Sequence, residues 1–204
     1  TQGVSSAASD VYKRQVQVVR AAHKPVSGRS ERGIPYAANQ PQLGAWVHNT
    51  LTDSFLEAYQ TFCQVLPPAE ADQFVQEQSK IGELLGVTDL PPTAADLRAW
   101  ITNHPDLDES GALQQAWSFL RNPPLQRGQL LGYRVVRAAA LATLPPNLAQ
   151  LGGETSRKVA VFGGQRLISS LRWAMKHSPA WKAALDRCGS SYDTTKFRSF
   201  EDPS

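Results

Sequence analysis

Residues 41–63 read PQLGAWVHNTLTDSFLEAYQTFC, and this stretch decides the fold that we predict for the chain. Proline suits the first turn of a helix, where no intrahelical hydrogen bond is lost, so the helix is expected to begin at Pro41. Apolar residues follow at the spacing of an amphipathic helix, at Leu43, Val47, Leu51, Phe55, Ala58 and Phe62. A polar stripe lies between them, at Asn49, Asp53, Glu57 and Gln60. We therefore predict that the apolar stripe is buried and that the Asp53 and Glu57 carboxylates are solvated.

Upstream of this helix, residues 16–23 (VQVVRAAH) are typical of the end of another helix, with an apolar face that carries His23. Pro25 is expected to stop it, because proline lacks a backbone donor and disfavours helix in the residue before it. Residues 27–40 contain two glycines, a proline and an asparagine, which predicts a surface loop long enough to cover a site.

Downstream, helical periodicity and proline or glycine breaks predict further helices, at roughly 68–85, 94–101, 109–121, 130–144, 155–176 and 179–187. Gly86 is the expected C′ residue of the first of these helices, and residues 93–96 (TAAD) resemble a capping box at the start of the second. Gly163 and Gly164 predict a kink within the fifth. No alternating strand pattern of useful length occurs, so the predicted class is all-α, a single-domain orthogonal bundle of roughly seven helices.

Composition excludes several classes of protein. The 204 residues are 41% hydrophobic and 19% charged, as in a soluble globular domain, and the net charge of +3 comes from scattered basic residues rather than a nucleic-acid footprint. No apolar run reaches membrane-spanning length. With only Cys63 and Cys188, neither a disulfide framework nor a cysteine-rich metal site is available. We predict a soluble, cytoplasmic protein that binds no nucleic acid.

The first residues form a segment of a different kind. The chain starts at Thr1 and its single methionine is Met175. Residues 5–15 (SSAASDVYKRQ) resemble the in-frame translation of a transposon-type sequencing adapter, although serine, alanine and aspartate would also suit a natural flexible arm. We therefore predict a non-native or disordered arm at 1–15, a truncated helical domain at 16–188 and a polar tail at 189–204.

The common catalytic motifs are missing: the sequence contains no phosphate loop, no dinucleotide-binding glycine fingerprint, no zinc-protease helix and no nucleophile elbow. Four histidines remain. His104 precedes Pro105 in a predicted turn and His177 lies in the last turn of a predicted helix, so both are interpreted as structural.

His23 and Arg20 are the candidate functional pair. An imidazole on an apolar helical face can present a neutral nitrogen to a ligand, and Arg20, one turn earlier, could reach an anionic group beside it. The alternative is a histidine at the edge of the core that bonds to a carbonyl group. His48 lies at the edge of an apolar stripe, where it could likewise form a hydrogen bond within the bundle.

Several motifs, in this order, resemble those of the family of the fungal ER-bound oxygenase MpaB and the bacterial rubber oxygenase, latex clearing protein. They are R-x-x-H-x-x-V-x-G at 20–28, WVHNTLTDSFL at 46–56, GELLGV at 82–87, LPP at 144–146 and LG at 151–152. The resemblance extends over roughly residues 16–187.

The resemblance implies an all-helical fold that forms a pocket for haem b and uses dioxygen to oxidise a small hydrophobic substrate. It places the axial iron ligand at His23 and the motif arginine, beside the haem edge or its propionates, at Arg20. A neutral imidazole suits iron. Arg20 and His48 are then candidate catalytic-site residues, with His48 supporting the fold or the surroundings of the ligand.

Two classes of function follow. The first is a haem-dependent oxygenase, and the alternative is a non-enzymatic helical bundle that binds a hydrophobic ligand or a protein partner. The family's upstream R-x-x-(Lys/Arg)-Thr motif, which supplies residues on the distal side of the haem, would lie before Val16. We therefore expect this chain to be a fragment that binds haem weakly and does not work as an enzyme.

Overall fold

The computed structural model describes residues 2–107, 110–145, 148, 157–175, 183 and 186. The described part contains seven helices of four residues or more and one two-stranded sheet, which confirms the predicted all-α class. The elements are α1 (Gln2–His23), β1 (Ser27–Arg29), β2 (Pro35–Ala37), α2 (Pro41–Phe62), α3 (Pro68–Leu84), α4 (Ala94–Thr102), α5 (Gly111–Arg121), α6 (Arg127–Thr143) and α7 (Arg157–Met175).

The segment predicted as a loop contains a small hairpin. β1 and β2 pair antiparallel, with Gly28 opposite Tyr36, and the turn is closed by a 2.8 Å bond from Ser30 N to Ile34 O. Gly33 occupies a left-handed conformation (φ 74°) that glycine adopts without strain. Strands of three residues are too short to show an alternating pattern, which is why the sequence did not predict them.

The main core lies between α2, α3 and α4. Leu56 of α2 packs with Ala71 and Val75 of α3 and with Leu97 and Ile101 of α4. The start of α4 follows the capping prediction, since Thr93 Oγ1 accepts a 3.1 Å bond from Asp96 N.

The C-terminal end of α3 forms a Schellman motif around Gly86, as predicted from the glycine. Gly86 has φ 81°, its N–H donates to Glu83 O (2.9 Å), and the N–H of Val87 donates to Gly82 O (3.0 Å). Val87 then packs on Gly44 of α2, where a Cβ on the glycine would lie 3.2 Å from its Cγ2. This turn therefore joins α3 to the first part of α2.

The glycine pair in α7 allows close helix packing. A Cβ on Gly164 would lie 2.5 Å from Phe62 Cε1 and 3.0 Å from Ala139 Cβ, so only glycine lets α2 and α6 approach α7 at this point. The neighbouring Gln165 Nε2 donates a 3.2 Å bond to Thr61 O near the end of α2.

Other predicted features differ in detail or lie elsewhere. α6 begins at Arg127 rather than at 130, and at its start the N–H of Gln126 donates a 3.2 Å bond to Gln129 Oε1. α5 has no fully buried residue, and the apolar side chains of Ala116 and Leu120 are exposed. The predicted helix at 179–187 lies, apart from residues 183 and 186, outside the described residues, as does the tail at 189–204.

Candidate functional site

The two faces of α2 are reversed relative to the prediction. Three residues of the predicted buried stripe are at least half exposed: Val47 (55%), Leu51 (50%) and Phe55 (63%). By contrast, Asn49 and Asp53, which were predicted to be solvated, are buried against the rest of the bundle. An uncovered apolar stripe on a central helix is the kind of surface that binds an apolar ligand or partner. We call residues Leu43, Val47, Leu51, Phe55 and Tyr59 the α2 apolar stripe; all five are exposed.

The polar face of α2 is buried because its polar groups have partners. Asn49 Nδ2 donates to Asp89 O (3.0 Å), and Thr52 Oγ1 donates to His48 O (2.9 Å). A buried polar group costs little when it is hydrogen-bonded, so these contacts permit the observed orientation.

Asp53 and Glu57 are joined by a single arginine from α4. Arg98 Nη1 lies 2.8 Å from Asp53 Oδ2, and Arg98 Nη2 lies 2.8 Å from Glu57 Oε2. Burial raises the pKa of the Asp53 carboxyl to about 6; the positive charge of Arg98 opposes this rise and the negative charge of Glu57 adds to it. The prediction that both carboxylates are solvated is therefore wrong, because a residue 45 positions from Asp53 supplies their counter-charge.

The side chain of His48, a residue of α2, packs against α3. A Cβ on Gly82 of α3 would be 3.1 Å from His48 Nε2 and 2.9 Å from Leu90 Cδ2, so the imidazole rests on the glycine backbone. Burial lowers the pKa of His48, which favours the neutral imidazole. Its assignment to the catalytic site stays a prediction.

The Arg20 side chain lies against Gly86, which follows the C-terminal end of α3 and is four residues after Gly82. A Cβ on Gly86 would be only 2.6 Å from Arg20 Nη2, and Asn39 Nδ2 donates a 3.1 Å bond to Arg20 O. The C-terminal end of α3 and the residues after it thus contact both predicted site residues, with His48 on Gly82 and Arg20 on Gly86.

His23 is the last residue of α1, and its side chain is exposed. Within the described part of the chain, its imidazole has no hydrogen-bonding or ionic partner. Exposed apolar side chains lie near it in the chain: Val19 is one turn earlier, and the N–H of Val26 donates to His23 O (2.9 Å). The expected alternative, an imidazole bonded to a carbonyl group, is not what these residues show, and the ring is open to a ligand.

His104 has a structural environment. Its ring centroid lies 4.8 Å from that of Trp46 and 4.7 Å from that of Trp100, while Trp100 Nε1 donates to Asp89 Oδ2 (2.6 Å). This aromatic contact holds α4 and the following turn to α2. His177 lies outside the described residues.

The described residues contain neither a metal site built from protein ligands alone nor a helix that could span a membrane. No three His, Cys, Asp or Glu side chains among them come together as a ligand set for an ion held by the protein alone. Haem iron requires only one axial side chain from the protein, and an unpartnered imidazole such as that of His23 fits this requirement. Among the same residues, no helix has the length and apolar character needed to cross a bilayer.

Comparison with known proteins identifies the family. No curated protein and no solved structure matches the chain significantly. A family model described as "ER-bound oxygenase mpaB/B'/Rubber oxygenase, catalytic domain" matches residues 4–175, a range that contains the R-x-x-H motif, α2 and the glycines at the end of α3. On this match over most of its length, the chain belongs to the family of MpaB and rubber oxygenase catalytic domains.

Proposed function

We propose that this domain is a haem b-dependent oxygenase that acts on a hydrophobic organic substrate and uses dioxygen. The observation that carries the proposal is the exposed His23 imidazole, which has no partner among the described residues and lies in a domain of an oxygenase family. Haem, when bound, would supply the iron chemistry that activates dioxygen.

The residues of the chain would bind and surround this group. His23 would donate a neutral imidazole nitrogen to iron, and its position at the end of α1 leaves the ring accessible. The α2 apolar stripe would contribute an apolar wall that excludes water and accepts a hydrophobic substrate. Arg20 and His48 would support the site from the C-terminal end of α3, where the Arg20 side chain lies on Gly86 and the His48 side chain on Gly82.

Titration of the chain with hemin tests the proposal. The wild-type chain should give a saturable Soret band with the signature of histidine ligation, and His23→Ala should lose it while keeping its helical circular dichroism. His104→Phe is the matched control, because phenylalanine preserves contact with Trp46 and Trp100 and should leave the Soret band unchanged. Full haem occupancy in His23→Ala would refute the assignment of the ligand.

The exposed α2 apolar stripe also favours a second candidate, a bundle that binds a hydrophobic ligand or partner without catalysis. The two functions can be distinguished because they depend on different residues. A binding bundle needs the stripe but not His23, so His23→Ala should still bind a fluorescent apolar probe such as anilinonaphthalene sulfonate, whereas Phe55→Ser should bind less. A wild-type chain with no Soret band and strong probe binding would support this second candidate.

A further inference from the structure

The last turn of α1 contacts the rest of the bundle. The helix does not pack extensively on any other described helix, and the side chains of Val18, Val19 and His23 are exposed. Arg20 makes two contacts with residues outside α1: its carbonyl oxygen accepts the 3.1 Å bond from Asn39 Nδ2, and its guanidinium lies on Gly86. Arg20 therefore links this turn to the residues just before α2 and just after α3.

The site that receives the guanidinium requires glycine for two reasons. At φ 81°, Gly86 has a conformation that other residues adopt only with strain. A Cβ at this position would also be 2.6 Å from Arg20 Nη2, so the tip of this flexible side chain would have to move. Because Gly86 follows the C-terminal end of α3, where the helix dipole is negative, the contact also places a positive charge where the helix stabilises it.

We infer that Arg20 is a positioning residue, whose contact with Gly86 fixes the last turn of α1 and thereby the imidazole of His23, three residues later. The inference rests on the proposed function of His23 as a haem ligand. It assigns Arg20 a role different from the one that the family resemblance implies, in which the arginine lies beside the haem edge or its propionates.

Hemin titration of Arg20→Ala and Gly86→Ala tests the inference, with Gly33→Ala as the matched control. Gly33 has a similar φ of 74°, but a Cβ there would meet nothing within 4 Å, so this variant reports backbone strain without loss of the arginine contact. We expect Arg20→Ala and Gly86→Ala each to raise the hemin Kd at least tenfold and Gly33→Ala to raise it less than threefold. The double variant should bind within about threefold of the weaker single variant, because both substitutions break one contact.

Two further measurements separate positioning from contact with the cofactor. The ferric electron paramagnetic resonance spectrum should broaden in Arg20→Ala and Gly86→Ala, because a loosened α1 presents the imidazole at several angles, and remain sharp in Gly33→Ala. With hemin dimethyl ester, which lacks propionate charges, Arg20→Ala should weaken binding as much as with hemin. An effect of Arg20→Ala that vanishes with the ester, or a Gly86→Ala variant that behaves like Gly33→Ala, would overturn the inference.

Hydrogen exchange tests the anchoring whether or not haem binds. In the chain without hemin, amides of residues 16–24 should exchange at least fivefold faster in Arg20→Ala and Gly86→Ala than in the wild type, while Gly33→Ala should not change them. If the wild type binds no hemin but the two variants still exchange faster than the wild type, the proposed function is refuted and the positioning role is not. Unchanged exchange in both variants would refute the positioning role.

Discussion

Asp53 gives a prediction in which two opposing effects on one carboxylate can be weighed. Burial raises its pKa, while the guanidinium of Arg98 at 2.8 Å acts to lower it; the balance lies with burial, at a pKa of about 6 against an ordinary value of 3.8. The folded protein therefore holds this proton more tightly than the unfolded chain does. The stability contributed by the carboxyl is fully present below pH 3.8 and is lost as the pH rises through 6.

The size of the effect follows from the shift of the pKa. One unit corresponds to about 1.4 kcal/mol, so a shift of roughly two units sets an upper limit of about 3 kcal/mol. Asp53 is largely shielded from solvent, but the Arg98 and Glu57 side chains beside it are partly exposed, which screens the interaction. We expect a measured effect of about 1–3 kcal/mol.

Urea unfolding, followed by circular dichroism at pH 4, 5, 6 and 7, provides the assay. The free energy of unfolding of the wild type minus that of Asp53→Asn should fall by this amount between pH 4 and pH 7, because asparagine does not titrate. In the Glu57→Gln background the decrease should be smaller and should end at slightly lower pH, because the charge of Glu57 adds to the raised pKa of Asp53. A difference that stays flat or rises with pH would show that the pairing with Arg98 outweighs burial.

Three further predictions concern packing and the candidate site. Gly164→Ala should lower the free energy of unfolding by about 1–3 kcal/mol, because its Cβ would meet Phe62, whereas Gly132→Ala, with nothing within 4 Å, should raise it by up to about 1 kcal/mol in chemical denaturation. Phe55→Ser should change stability by less than about 0.5 kcal/mol but weaken binding of a fluorescent apolar probe, since its side chain is exposed in the α2 apolar stripe. His48→Ala should destabilise the fold by about 1–3 kcal/mol, seen as a lower thermal midpoint, because its imidazole packs on Gly82, and it should leave most haem binding intact. Equal haem loss in His48→Ala and His23→Ala would show that its role is misassigned.

The boundaries of most described helices were predictable because local chemistry sets them. Pro41 begins α2, Thr93 caps α4 and Gly86 ends α3, each through its own backbone or the residues next to it. The orientation of α2 was not predictable in this way. Amphipathic spacing identifies an apolar stripe but not whether another element covers it, and the burial of Asp53 depends on Arg98, far along the chain.

The candidate site likewise has features that the local sequence predicts and others that depend on distant residues. The R-x-x-H motif was sufficient to select Arg20 and His23, and the structure adds that the imidazole is exposed and without a partner among the described residues. The contact between Arg20 and Gly86 could not be predicted from the sequence, because a glycine at this position indicates only the end of a helix. Its second role, as the surface on which a guanidinium rests, appears only when α1 and α3 are seen together.

Two glycines one turn apart therefore link the candidate site to the rigid part of the bundle. Gly82 receives the imidazole of His48 and Gly86 receives the guanidinium of Arg20, and a Cβ at either position would approach the side chain closely, to 3.1 Å and 2.6 Å respectively. α3 is in turn held by the core that it shares with α2 and α4. If Arg20 positions the last turn of α1 as inferred, the geometry of His23 should depend on how firmly α3 is fixed. Substitutions in the core that loosen the C-terminal end of α3 should accordingly disturb His23, the proposed iron ligand, through Arg20 even where they contact neither residue. Their effect on hemin binding should be absent once Arg20 is replaced by alanine.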